Sequence, residues 1–237
     1  MAMEHRESSS SSYTAGVAVL AASFAPSQSD SMYYGGNYEA VVGGLQWAYD
    51  RFSAGASWAY YRLRKNGDEQ YGVGDVSVNA QVALLQQSDL QAGFVGAVSV
   101  PTGNELIGFG MGHTMLMPAA YAAGRAGRLS LTGSFGYSRA LSSGGHVHGM
   151  EPLVEPMNMS ELTWAVGAEV AIADGVRSGA RLSGGVPVGA MLGTNRIVGA
   201  VRVAWGTGRV DTGAELQAGI DGDPFTLRAV LSTALEF

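Results

Sequence analysis

The sequence predicts an all-β chain: an antiparallel, up-and-down β-barrel of about twelve strands that crosses a membrane, with N- and C-termini on the periplasmic side. Three observations carry this expectation. Segments along most of the chain alternate apolar and polar residues with a period of two. The charges of the last five segments fall on one face only. The connections alternate between tight turns and mostly longer loops, the asymmetry of a barrel with short turns on one side of a membrane and longer loops on the other.

The C-terminal five segments show the rule most clearly. Their proposed outward sets run Leu162 to Ile172, Val176 to Val188, Ile197 to Trp205, Val210 to Ile220 and Phe225 to Phe237, taking every second residue. None of those 31 positions is charged. The interleaved face carries Glu161, Glu169, Arg177, Arg181, Arg196, Arg202, Arg209, Asp211, Glu215, Arg228 and Glu236 among Gly, Ala and Ser. A soluble sandwich or lipocalin-like barrel also alternates. Two features argue for lipid instead: aromatics such as Phe52, Trp58, Tyr60, Tyr137, Trp164, Trp205 and Phe237 gather near the ends of the apolar face, where interfacial girdles belong, and the loop lengths alternate.

The earlier strands are expected at 13–24, 34–50, 51–63, 75–86, 89–101, 113–124 and 128–141. Tight turns are expected at 50–51, 86–89, 125–128, 173–175 and 206–209, and longer connections at 25–33, 64–74, 102–112, 142–158 and 189–196, with a shorter one at 220–224. The strands at 34–50 and 113–124 fit least well, because Glu39 shares a face with Val41 and Trp47 and because Pro118 interrupts a ladder; a bulge or register change is expected there. An even strand number puts both termini on one side. Phe237 then closes the last strand against the first, leaving no edge unpaired in lipid.

Composition is consistent with one barrel domain over 13–237 preceded by a flexible polar tail, 1–12, that holds the Ser8–Ser12 run. Of 237 residues 14% are charged and 35 are glycine; the net charge is -6, and of 14 basic residues only Lys65 is lysine. The acidic balance and scattered arginines argue against a nucleic-acid partner. Without cysteine there is no disulfide framework or thiolate metal site. No apolar run is long enough for a transmembrane helix. The first dozen residues have no apolar signal-peptide core, so an exported form is expected to be mature or recombinant.

A twelve-stranded barrel has room for a narrow lumen. The expected lining comprises Arg177, Arg181, Arg202 and Arg228, with Glu169, Asp211, Glu215 and Glu236 as partners across neighbouring strands; Asn37, Asp75, Asn79, Gln81 and Gln91 extend the polar path. Such charges either stabilise the wall as ion pairs or form a selectivity ladder for small anionic or polar solutes.

The stretches "YGVGDVSVNAQVALL" (71–85) and "VSVPTGNE" (98–105), a glycine-rich loop after them and the final Phe237 resemble the outer-membrane barrels associated with the meta-pathway of phenol degradation, the MetA-type transporters. The resemblance implies uptake of small, often hydrophobic or aromatic compounds and supplies no catalytic residues. The ending "ALEF" also resembles the C-terminal aromatic signal read by barrel-insertion machinery.

Methionines and histidines gather at the loop-rich end. Thioether and imidazole groups suit copper, and imidazole suits zinc, so His146, His148 and Met150 in "HVHGM", with His113 and Met115 in "MGHTMLM", are the metal candidates. No cofactor is required by the barrel itself. Neither histidine group matches a barrel-hydrolase or protease arrangement, so no enzyme is expected. The leading expectation is a bacterial outer-membrane channel or passive transporter for small molecules, partnered by outer-membrane lipid. The alternatives are a copper- or zinc-binding barrel and a structural or adhesive barrel.

Overall fold

The structure, a computed structural model, describes residues 11–23, 37–65, 67–141, 158–189, 195–222 and 225–237. The two-residue rhythm becomes thirteen strands: β1 (Ser11–Ser23), β2 (Asn37–Tyr49), β3 (Phe52–Lys65), β4 (Asp68–Val73), β5 (Val76–Gln86), β6 (Leu90–Val100), β7 (Met115–Ala126), β8 (Leu129–Ala140), β9 (Ser160–Ala173), β10 (Val176–Pro187), β11 (Arg196–Thr207), β12 (Val210–Asp221) and β13 (Leu227–Glu236). All pair antiparallel, β1 lies between β13 and β2, and β2 pairs with β3, so the sheet closes. At the seam the Tyr13 and Phe237 backbones exchange N–H···O bonds of 3.1 and 2.9 Å, and their rings stack with centroids 6.3 Å apart.

Thirteen strands make twelve staves because β4 and β5 share one. The lower half of β3, Phe52–Ser57, pairs with β5, and its upper half, Tyr60–Lys65, pairs with β4. This corrects the expected long connection over 64–74. Gly67, at φ 89°, helps close a tight hairpin there, and its short, charged outer arm hides the strand period in the sequence. Within the described residues β4 pairs only with β3, so it stands beyond the last β5–β6 pair, Val76 with Val100.

The register also corrects the expected irregularities. β2 pairs with both neighbours without a shift, and the bulges lie instead at Ala83/Leu85, Val176/Arg177 and Ile197/Val198. Pro118 pairs with Gly96 of β6, while its ladder to β8 opens between Leu116 and Ala119 in unchanged register. A residue without an N–H interrupts bonds without moving the strands.

The apolar face points outward. Leu231 is 62% exposed, Val201 57% and Phe94 56%, which rejects a sandwich with these residues in a dry centre. Such a contiguous apolar exterior is far larger than soluble monomers expose, and it suits hydrocarbon. The two rims differ. At the turn end the outward residues include Tyr13, Trp47, Tyr49, Phe52 and Trp205. The outward charges of the described strands, Glu39, Arg62, Arg64, Glu69 and Arg139, all lie at the loop end, where Glu39 bonds Arg62 and Arg64, and Arg62 bonds Glu69 at 2.6 Å. Glu39 thus fits its apolar strand because it sits above the apolar belt.

Candidate functional site: the lumen

Small inward residues on β9 to β13 leave space, and arginine and carboxylate side chains enter it. Arg177 of β10 reaches Asp211 of β12 at 2.7 Å and Glu169 of β9 at 3.6 Å. The Arg177–Asp211 pair spans β11 above the fully buried Ala204, which pairs directly with Arg177; a larger side chain there would stand between the two charges. Arg181 donates to Glu215 at 3.4 Å, and Gln217 donates to the same carboxylate oxygen. Arg202 of β11 lies between Gly179 and Glu215 in register, yet among the described residues no carboxylate oxygen comes within ion-pair distance of it. Below this ladder a cavity of about 460 Å³ opens at the turn end, lined by Thr14, Arg177, Gly206, Arg209, Asp211 and Glu236.

Arg228 stands apart from the other three arginines. Its Nε donates to Gln217 at 2.6 Å, its Nη1 to the Tyr38 hydroxyl at 3.1 Å, and its guanidinium lies 4.2 Å over the Phe225 ring. There it borders an apolar cluster that fills one side of the lumen: Leu20, Ala22, Tyr38, Ala40, Ala59, Tyr61, Leu63, Phe109 and Phe225. Tyr61 is the hub, edge-on to Tyr38 and stacked on Phe109 with centroids 5.8 Å apart. Seven of the nine cluster residues come from β1, β2 and β3, whereas Arg177, Arg181 and Arg202 stand on β10 and β11.

Phe109 comes from the β6–β7 loop, which folds inward and is latched to the β4–β5 break. Asp75 accepts from the Gly103 N–H at 2.9 Å and the Met111 N–H at 2.8 Å. Thr102 Oγ1 accepts from the Val76 N–H at 2.9 Å and donates to the Gly74 carbonyl at 3.0 Å. Asn104 caps a short 3-10 turn, Glu105–Ile107, by accepting from the Leu106 N–H. The loop packs so tightly that a Cβ on Gly72 would lie 2.6 Å from the Phe109 ring, and one on Gly110 would strike the Asp75 carboxylate. Asp75, expected in the polar path, therefore has both oxygens engaged by the loop. Asn79 and Gln81 occupy the inward face of β5, with Asn79 over Gly55.

A second polar group sits at the loop end. Glu161 is fully buried, bonded by Arg196 at 2.5 Å and by Asn158 at 2.7 Å. A Cβ on Gly185 would lie 2.6 Å from its carboxylate. Ser138, its register partner on β8, is also fully buried, and among the described residues its Oγ has no hydrogen-bond partner. Beside them a cavity of about 270 Å³ is lined by Ser134, Thr163, Ser183, Arg196 and Val198. Spacing marks Glu161 and Arg196 as inward charges; that they form a buried pair has a single trace in the sequence, Gly185 on the same face.

Of the metal candidates, His113 and Met115 are buried at the loop end. His146, His148 and Met150 lie outside the described residues. Among the described residues no group of three His, Cys, Asp or Glu side chains is arranged to hold a metal ion.

No family model matches the chain, and no curated protein matches it. Solved structures do. The COG4313 outer membrane channel from Pseudomonas putida F1 is 12% identical, with 95% of each chain covered and a TM-score of 0.67. A porin, KdgM, is 8% identical over 94% of this chain and 99% of that one, with a TM-score of 0.61. The translocator domain of the autotransporter NalP from Neisseria meningitidis is 11% identical over 99% and 90%, with a TM-score of 0.55. At such identities the likeness is one of fold: a closed outer-membrane-type β-barrel.

Proposed function

We propose that the protein is a bacterial outer-membrane channel, a passive route for small solutes with its loop end outside and its termini in the periplasm. The observation that carries this is a closed barrel, apolar outside, whose β9 to β12 wall carries Arg177, Arg181, Arg202, Glu169, Asp211 and Glu215 on its inward face. The fold is shared with a COG4313 channel and a porin, which supports a pore over an enzyme.

The MetA-type resemblance points to small aromatic cargo. The aromatic side of the lumen is filled by the chain's own Tyr38, Tyr61 and Phe109, so this reading favours small polar or anionic solutes along the arginine side. Phe237, stacked on Tyr13 at the seam, is the residue we assign to recognition by the insertion machinery. The test is reconstitution: the purified protein in a planar bilayer should give discrete conductance steps, and liposomes containing it should admit small organic anions. The absence of both current and uptake would rule out the channel.

A further inference from the structure

We infer that Arg202 is an anion-binding site at mid-height of the lumen, taking one small monovalent anion such as a carboxylate, and that it sets the charge preference of the pore. The inference rests on the channel reading and goes beyond it by separating one arginine from its neighbours.

Arg177 and Arg181 are each matched by carboxylates, so their fields are largely cancelled for an ion passing a few ångströms away. Among the described residues Arg202 is not matched, although its register partner across β11–β12 is Glu215. That carboxylate is drawn off by Arg181 and Gln217. The Arg202 guanidinium lies instead over Gly213, where a Cβ would sit 3.0 Å from both Nε and Nη2. A glycine at that position gives the guanidinium a bed on the wall. Gly179, its neighbour on β10, likewise projects nothing over it. Arg202 is the seventh of the twelve residues of β11, so the unmatched charge lies midway along the lumen wall and is partly buried. A guanidinium offers a planar fork of donors that fits a carboxylate, and a permeating anion is the partner the wall withholds.

The experiment is the reversal potential under a KCl gradient, repeated with potassium acetate, for wild type, Arg202→Gln, Arg202→Lys, Gly213→Ala and Arg181→Gln. A unit charge about 5 Å from the ion path in water, screened over a Debye length of about 10 Å, changes each ion's occupancy about twofold in opposite directions. Arg202→Gln should thus lower the anion-to-cation permeability ratio about fivefold with single-channel conductance still measurable. Arg202→Lys should keep most of the preference, and Gly213→Ala, which displaces the guanidinium, should lose part of it. Arg181→Gln frees Glu215 to face Arg202 and should lower the ratio as well. A conducting Arg202→Gln pore with an unchanged ratio overturns the inference and leaves the channel reading standing. A wild type without current overturns both.

Discussion

Replacing Asp75 with Asn removes one charge and one acceptor from the latch of the β6–β7 loop. The carboxylate now takes two backbone N–H groups, from Gly103 at 2.9 Å and Met111 at 2.8 Å. Hydrogen bonds to a charged group contribute about 1.5–3 kcal/mol each. Asparagine keeps one acceptor oxygen and turns an NH₂ towards the second N–H, so the loss is about 2–3 kcal/mol. At about 1.4 kcal/mol per decade, the detached population of the loop rises roughly 30- to 150-fold. Amide hydrogen exchange reads this directly, because local opening sets the protection of the Gly103 and Met111 amides. Their exchange should accelerate by that factor while amides of β10 and β11 stay protected. If both amides keep their wild-type protection in a folded barrel, the latch is not what holds the loop.

Phe109→Ala removes the ring that stacks on Tyr61 and fills the apolar side; unfolding in urea should show a loss of about 3–5 kcal/mol, and single-channel conductance should rise. Glu161→Ala leaves the Arg196 charge without its 2.5 Å partner, and the expected cost of about 3–5 kcal/mol is measured the same way. Deleting Phe237 abolishes the ring stack and the bond pair to Tyr13, so the barrel should migrate as the unfolded form on unheated gels at lower temperature than wild type. Glu69, beyond the apolar belt on β4, is held below the ordinary carboxyl range, mainly by the hydrogen bond from Arg62 and then by that from Tyr71. Its contribution is present above the unfolded value and lost as pH falls through the lowered one. Carboxyl NMR should find its midpoint returning towards normal in Arg62→Gln.

The barrel was readable because a lipid-facing wall permits no charge at alternate positions, and that filter survives even where strand propensity is weak, as in the Gly- and Ala-rich β10. The hairpin at 64–74 was missed for the same reason in reverse: β4 stands where charge is tolerated, so Asp68 and Glu69 hide its period. Within the lumen, the charged face of Arg177, Arg181 and Arg202 was visible from spacing. Which arginine would be left unmatched was not, because that depends on Glu215 choosing between Arg181 and Arg202, a decision made by side-chain reach across strands and by Gln217. The Asp75 latch joins residues 28 and 36 positions apart. Its trace in the sequence is the glycines at 72, 74, 103 and 110, whose spacing says that backbones must touch but not where.

The difference between the rims bears on how the cylinder rides in its bilayer. Sinking it towards the turn end would drag the collar of Glu39, Arg62, Arg64, Glu69 and Arg139 into acyl chains, with arginine costs of about 2–4 kcal/mol at full depth. Rising the other way would lift Tyr13, Trp47 and Phe237 out of the interface they favour. The molecule is thereby keyed to one height, with the charged collar and the aromatic ring held at opposite faces of the bilayer.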